Sequence, residues 1–328
     1  MSASTHVLEI DGLTLGLPRV TRPVLDGVDL TVGVSEIVAL VGESGSGKSM
    51  TLRTALGLLP RQASVEGLVR VAGENVLMMT PARLRRLRAG TVSMIFQDPR
   101  AGINPLRRLG DFLTESARVN GGADGVQPMA RARHLLAAVG LTDRVLHQYP
   151  HELSGGMLQR IMIASALMND PGLLLCDEPT TALDVTTQAE IVALLTDLRD
   201  RFGTGMLFVT HDLGLAAAIS DRVFVMYAGR IVEHGQAASL FATPRHPYTA
   251  ALLRSTPRLE APGQRLDAIP GQPPDLHARL PGCPFAARCA HAIERCRAER
   301  PEPDGGVACH RAGELVLANV QEGDRSRG

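Results

Sequence analysis

The stretch GESGSGKS at residues 42–49 constrains the fold more than any other part of the chain. It fits G-x-x-x-x-G-K-[ST], follows a buried-strand run, EIVALVG (36–42), and precedes a helical run, SMTLRTALGLL (49–59). Strand, glycine loop and helix in that order build a cradle of backbone N–H groups and a helix N-terminus around a phosphate. Gly42, Gly45 and Gly47 let the backbone curl inward, with Ser44 and Ser46 between them. Lys48 is expected to reach the β- and γ-phosphates, and the Ser49 hydroxyl to ligate Mg²⁺. Lys48 is also the only lysine; the rest of the 34 basic residues are arginine. A compact point charge on a thin stem can thread a tight loop that excludes a planar guanidinium.

Such a unit needs a sheet around it, and the sequence supplies the strands. VLEIDGLTL (7–15), TVSMIFQ (91–97), GLLLCDEP (172–179) and GMLFVTHD (205–212) read as strands, and RVFVMYAGRIVEHG (222–235) as a hairpin turning at Ala228-Gly229. Residues 105–147 are mostly helical in pattern with a polar break at NGGADG (120–125), and VTTQAEIVALLTDLRDRF (185–202) is an amphipathic helix. Alternating strands and helices predict an α/β core with a mainly parallel sheet. The 328 residues suffice for one large domain with an appendage, and composition shifts near residue 256 towards Pro, Gly and Cys.

Charge narrows the partners. With 34 acidic and 34 basic residues the chain offers no general field for a polyanion, so nucleic acid is not expected. No apolar run of membrane-spanning length occurs, and the N-terminus MSASTHVLEIDG lacks the plan of a secretory signal. A cytoplasmic, reduced chain follows as the default.

Further residues bear on the chemistry at that loop. HELSGGMLQR (151–160) sets Ser154, Gly155 and Gly156 at the start of a helix, able to approach a γ-phosphate. The same residues also describe a plain N-capped helix start. In LLLCDEP an apolar strand delivers Asp177 to the sheet's carboxyl edge, where it can hold the Mg²⁺ shell, and Glu178 follows as a candidate general base. An isolated Asp-Glu pair is otherwise often a helix cap. His211 in FVTHD and Gln97 in MIFQDP each end a strand, where a single polar residue is frequently structural.

Taken in order, these residues resemble the ABC ATPase family. GESGSGKS resembles its phosphate loop, LSGGM its signature with Met157 at the usual Gln position, LLLCDEP its Walker B strand, TALD (181–184) its D-loop, His211 its switch histidine and Gln97 its Q-loop glutamine. The resemblance implies an ABC-type P-loop NTPase: a RecA-like core with a β-subdomain and a helical subdomain, plus a small Cys/Pro-rich C-terminal extension. It implies an ATPase domain over residues 1–255 (helical subdomain about 98–165), an extension over 256–312 and a disordered tail over 313–328. Glu178, His211 and Gln97 would be catalytic, with Ser49, Gln97 and Asp177 around Mg²⁺. Two chains would pair head to tail, so that Ser154, Gly155, Gly156 and Asp184 close on nucleotide held by the partner. Where the family usually stacks adenine on an aromatic ring, this chain has Leu17, which implies apolar contact and a greater reliance on the phosphates.

Finer resemblance is to the ATPases of oligopeptide/dipeptide importers, through FQDPRAGINPLRRLGDFLTE (96–115), HPYTAALLRSTP (246–257) and IPGQPPDL (269–276). It implies two permease subunits, an extracytoplasmic substrate-binding protein, commonly a second, different ATPase subunit, and residence at the cytoplasmic face of the inner membrane. The solute could be a di- or oligopeptide or a related small solute such as a nickel chelate or glutathione. A soluble, non-transport ATPase with a metal- or redox-sensing tail is the alternative of a different class.

The sensing element in that alternative would be Cys283, Cys289, Cys296 and Cys309, spaced C-x5-C-x6-C-x12-C. Four thiolates suffice for a soft metal or an iron–sulfur cluster. Zinc with His291 or His310 as substitute ligands, disulfides and unmetallated thiols remain open, disulfides being disfavoured in a reducing compartment. So Pro- and Gly-rich a segment is expected to bury little core and to need a staple. Resemblance to the importer extension implies a [4Fe–4S] cluster ahead of Zn²⁺. Cys176, on the Walker B strand, reads as a small core residue.

Overall fold

A computed structural model of the chain describes residues 6–120, 127–181, 183–256 and 268–317. β1 (His6–Gly16) and β2 (Leu25–Gly33) pair antiparallel, and β3 (Ile37–Val41) then enters a second sheet. β4 (Ser64–Val71) and β5 (Glu74–Asn75) return to the first, giving the order β2-β1-β4-β5. The second sheet is completed by β6 (Val92–Ile95), β7 (Leu173–Asp177), β8 (Gly205–Thr210), β9 (Arg222–Tyr227) and β10 (Arg230–Gln236). Its order is β10-β9-β3-β8-β7-β6, parallel throughout except for the β9–β10 hairpin.

Burial explains both patterns. β3 and β7 are buried at every residue, as strands covered on both faces must be, whereas β1 mixes buried and exposed positions. Along β7 successive side chains face opposite ways: Leu173 and Leu175 join the core shared with β1, β2 and β4, while Leu174 and Cys176 join the core of the helical layer. In that layer the helices Leu109–Asn120, Pro128–Ala138 and Gly155–Ala166 contribute Leu113, Leu135 and Leu158. Each such side chain, fully buried, contributes about 1.5–3 kcal/mol. The turn of the β9–β10 hairpin falls at Ala228 and Gly229 as expected, both left-handed at φ 50° and 85°.

Two expectations shift in detail, and others fall partly outside the described residues. The strand predicted over 91–97 stops at Ile95: Phe96 is 45 % exposed, and Asp98 caps a short helix opened by Pro99. Gln97 therefore lies beyond its strand. Most of the polar break at 120–125, all but Asn120, lies outside the described residues, as do residues 257–267 at the composition shift and 318–328 of the tail. The C-terminal extension, expected to bury little, seats Phe285 at 2 % exposure against Tyr227 and Tyr248, ring centroids 5.4 and 5.2 Å away. It also hooks onto β10, with Ala308 N–H donating to Val232 O at 2.9 Å and His234 N–H to Gly306 O at 2.8 Å.

The parallel topology fixes where chemistry can occur. The carboxyl ends of β3, β6, β7 and β8 share one edge of the sheet, and from that edge the chain delivers residues 42–49, Gln97, Asp177-Glu178 and His211.

Candidate functional site

Residues 42–49 leave β3 and enter the helix Lys48–Ala55. Gly42 is held so tightly under β9 that a Cβ would stand 2.1 Å from the Met226 carbonyl oxygen, and Gly47 sits at φ 113° with a Cβ position 2.8 Å from Leu25. Only glycine fits both places. Lys48 is 5 % exposed and threads back under the loop, its Nζ donating to the carbonyls of Gly42 at 2.8 Å and Glu43 at 2.9 Å. Burial lowers its pKa from the ordinary lysine value, against the pull of Glu178, Asp177 and Glu43. The Ser46 hydroxyl is buried without a hydrogen-bond partner among the described residues, which fits a phosphate oxygen as its acceptor.

Asp177 ends β7 at 8 % exposure and accepts the Ser49 hydroxyl at 2.8 Å. Burial raises its carboxyl above the usual range, opposed by that hydrogen bond. A buried ammonium and a buried carboxylate, each disfavoured as a charge by burial, suit ligands of opposite sign: phosphate for Lys48 and a hard cation for Asp177 and Ser49.

Glu178 sits at φ 48°, a left-handed conformation costly for a residue with a Cβ. Its N–H still pairs with Val209 O at 3.0 Å, and the turn aims its carboxylate out of the sheet edge. Its Oε2 receives Thr181 Oγ1 at 2.9 Å and Gln97 Nε2 at 3.3 Å, and stands 3.2 Å from His211 Nδ1. The structure thus brings together all three residues predicted to be catalytic. Thr181 opens the TALD stretch but was given no role of its own from the sequence; its place three residues after Glu178 is the signal that could have found it.

Ser154, Gly155, Gly156 and Asp184 lie elsewhere. Ser154 caps the helix Gly155–Ala166, accepting Met157 N–H at 3.3 Å, and Asp184 caps Val185–Phe202, accepting Thr187 N–H at 3.0 Å and its hydroxyl at 2.8 Å. The two capped ends pack together: a Cβ on Gly156 would stand 2.8 Å from Thr187 Cγ2. Among the described residues neither cap bonds to the phosphate loop of its own chain. Leu17, at the position considered for base stacking, is half-buried and packs into the core of the antiparallel sheet.

The cysteines converge as a second group. Cys283, Cys289, Cys296 and Cys309 line one small cavity, and none is in a disulfide. Burial pushes the Cys283 thiol up to about 11 and raises Cys289 and Cys309. His291 and His310 line the same cavity, but the His310 Nε2 is engaged with the Glu299 carbonyl at 3.0 Å. Among the described residues no group of three or more His, Cys, Asp or Glu side chains is arranged to hold a metal ion. The iron–sulfur and zinc expectations therefore gain a shared cavity from the fold but no preformed ligand set.

The extension also reaches the nucleotide side of the molecule, which the sequence did not reveal. Thr21 and Arg22 donate their N–H groups to Leu276 O at 3.2 and 3.0 Å, and Arg288 forms a two-pronged ion pair with Glu43 of the phosphate loop at 2.7 and 3.0 Å.

Comparison with known proteins bears on the same regions. The family model for ABC transporters matches residues 25–181, and that for the oligopeptide/dipeptide transporter C-terminal region matches 232–296. A probable peptide ABC transporter ATP-binding protein of Sinorhizobium fredii is 45 % identical over 311 residues, 92 % of each chain. The oligopeptide transport ATP-binding protein OppD of Salmonella typhimurium is 43 % identical over 300 residues, 90 % of this chain and 89 % of that one. Among solved structures, the dimeric bacterial ABC transporter cassette MJ0796 superposes with a TM-score of 0.61 at 27 % identity, covering 70 % of this chain and 98 % of that one. The same cassette is also known in a post-hydrolysis state bound to ADP and Pi, with a TM-score of 0.60. With its phosphate loop and sheet-edge carboxylates in place, and at that identity over nine-tenths of its length, the chain belongs to the ABC transporter family as an ATP-hydrolysing, ATP-binding subunit carrying the oligopeptide/dipeptide transporter C-terminal region.

Proposed function

We propose that this chain powers import of di- or oligopeptides, or a related small solute, from the cytoplasmic face of a membrane. The observation that carries the hydrolytic part is the convergence of Gln97, Thr181 and His211 on the Glu178 carboxylate, at the sheet edge that also carries the Ser49–Asp177 pair and Lys48. In this reading Gly42, Ser44, Gly45, Ser46 and Gly47 present the backbone to the polyphosphate and Lys48 binds its β- and γ-groups. Ser49, Asp177 and Gln97 hold Mg²⁺, which supplies charge neutralisation at the phosphates when bound. Glu178 takes the proton of the attacking water, His211 orients beside it, and Thr181 and Gln97 keep the carboxylate aimed.

The capped helix starts at Ser154 and Asp184 pack together, and in this reading they close on the nucleotide of a head-to-tail partner. Two permeases, a substrate-binding protein and a second, different ATPase subunit complete the assembly in this reading. Its support is the matched C-terminal region and the naming of the relatives, together with the lack, among the described residues, of any helix long and apolar enough to cross a membrane. Cys283, Cys289, Cys296 and Cys309 are assigned to a thiophilic group, a [4Fe–4S] cluster ahead of Zn²⁺. Four thiols lining one cavity are a suitable donor set for such a group.

Purification of the tagged chain from its native membranes tests the transport reading. It predicts two co-purifying permeases and ATP hydrolysis that rises when peptide and binding protein are added to the reconstituted complex. Recovery of the chain free of membrane subunits would contradict it.

A further inference from the structure

Glu43 places a carboxylate inside a loop built to bind polyphosphate, and such a charge left free would repel the ligand. The fold answers it with Arg288, 245 residues away in the cysteine-bearing extension. Its guanidinium engages all five donors, two of them on Glu43. Nη1 donates to Glu43 Oε2 at 2.7 Å and Tyr227 OH at 3.3 Å, Nη2 to Glu43 Oε1 at 3.0 Å and Ile269 O at 3.4 Å, and Nε to Pro270 O at 2.9 Å. The Arg288 side chain is only 6 % exposed. Burial works against its charge, but Glu43 and Tyr227 more than offset this and raise its pKa.

The rest of Glu43 is fixed as well. Its N–H donates to the hydroxyl of the fully buried Tyr248 at 2.9 Å, and its carbonyl accepts Lys48 Nζ at 2.9 Å. A continuous path of hydrogen bonds therefore runs from the extension through Glu43 to the one lysine of the phosphate loop. Arg288 is the covalent neighbour of Cys289, so the segment that lines the cysteine cavity also holds the loop.

We propose that Arg288 is a positioning residue for ATP binding: it neutralises Glu43 and draws the carboxylate away from the phosphate side, which makes the C-terminal extension part of the nucleotide site. This rests on residues 42–49 being the phosphate loop.

The test uses the full-length chain, a fluorescent ATP analogue for affinity, and ATP KM and kcat in the assembled complex. Arg288→Ala is expected to raise the Kd and the KM about tenfold, with kcat within about twofold of the parent. Adding Glu43→Gln to Arg288→Ala removes the unpaired carboxylate and is expected to recover affinity to within about threefold, since the loss then reflects charge left uncompensated rather than the extension falling away. Parent-like affinity in Arg288→Ala, or a loss that Glu43→Gln does not recover, would overturn the proposal. Lys48→Ala separates the two readings. If it binds the analogue as the parent does, the phosphate-loop reading itself fails; if it loses binding while Arg288→Ala does not, only the role of Arg288 fails.

Discussion

Glu178 carries the most contacts of any candidate catalytic group, and its neighbours show what spacing can and cannot reveal. Lys48, Ser49, Asp177 and Glu178 were legible from motif and strand pattern, and His211 and Gln97 through the resemblance to ABC ATPases; the parallel sheet brings the ends of their strands to one edge. Thr181 and Arg288 were not legible. The hydroxyl of the first makes a hydrogen bond whose purpose depends on where Glu178 points, and the second acts across 245 residues. Thr181→Val keeps the shape of the side chain and removes the donor to Glu178 Oε2. One lost hydrogen bond to a charged group is worth about 1.5–3 kcal/mol, much of which water can restore at an open site. The expected outcome is a fall in kcat of about three- to tenfold with little change in ATP KM, measured by steady-state hydrolysis in the complex.

Among the elements, regular periodicity was read accurately and irregular chain was not. The helix Val185–Phe202 and the hairpin turn at Ala228–Gly229 fall where the pattern put them. The strand predicted through Gln97 ran past its end, because Phe96 is apolar but unpaired in the ladder. The extension follows no period: loops, a short helix over Glu294–Ala298 and isolated bridges hold it, so its docking through Phe285, Tyr227 and Tyr248 could not be read from local pattern. That docking supplies part of the stability that a metal alone was expected to give. The cysteine centre is tested at this scale by anaerobic purification followed by iron, acid-labile sulfide and zinc analysis. About four irons and four sulfides per chain are expected, with loss on replacing the cysteines by serine; zinc instead, or neither, would refute the iron–sulfur assignment.

At the scale of the whole molecule, the nucleotide machinery falls, in the proposed reading, into two groups within one chain. The phosphate loop and the Glu178 cluster share the edge of the central sheet, while the helix starts at Ser154 and Asp184 pack against each other and cap their own helices. On that reading the site acts when two subunits face each other, and the comparison cassette is itself dimeric. The extension adds a third part, since Arg288 holds Glu43 and Leu276 holds the loop at Thr21 and Arg22. In the proposed function, conformational work on a membrane partner depends on ATP closing the pair and hydrolysis reopening it. The most direct test of that claim is Glu178→Gln in the assembled complex, with turnover and retained nucleotide followed in ATP and Mg²⁺. Hydrolysis reduced by about a hundredfold or more, together with a closed ATPase pair that retains ATP, is the predicted result; parent-like turnover, or a pair that does not close with ATP bound, would contradict it.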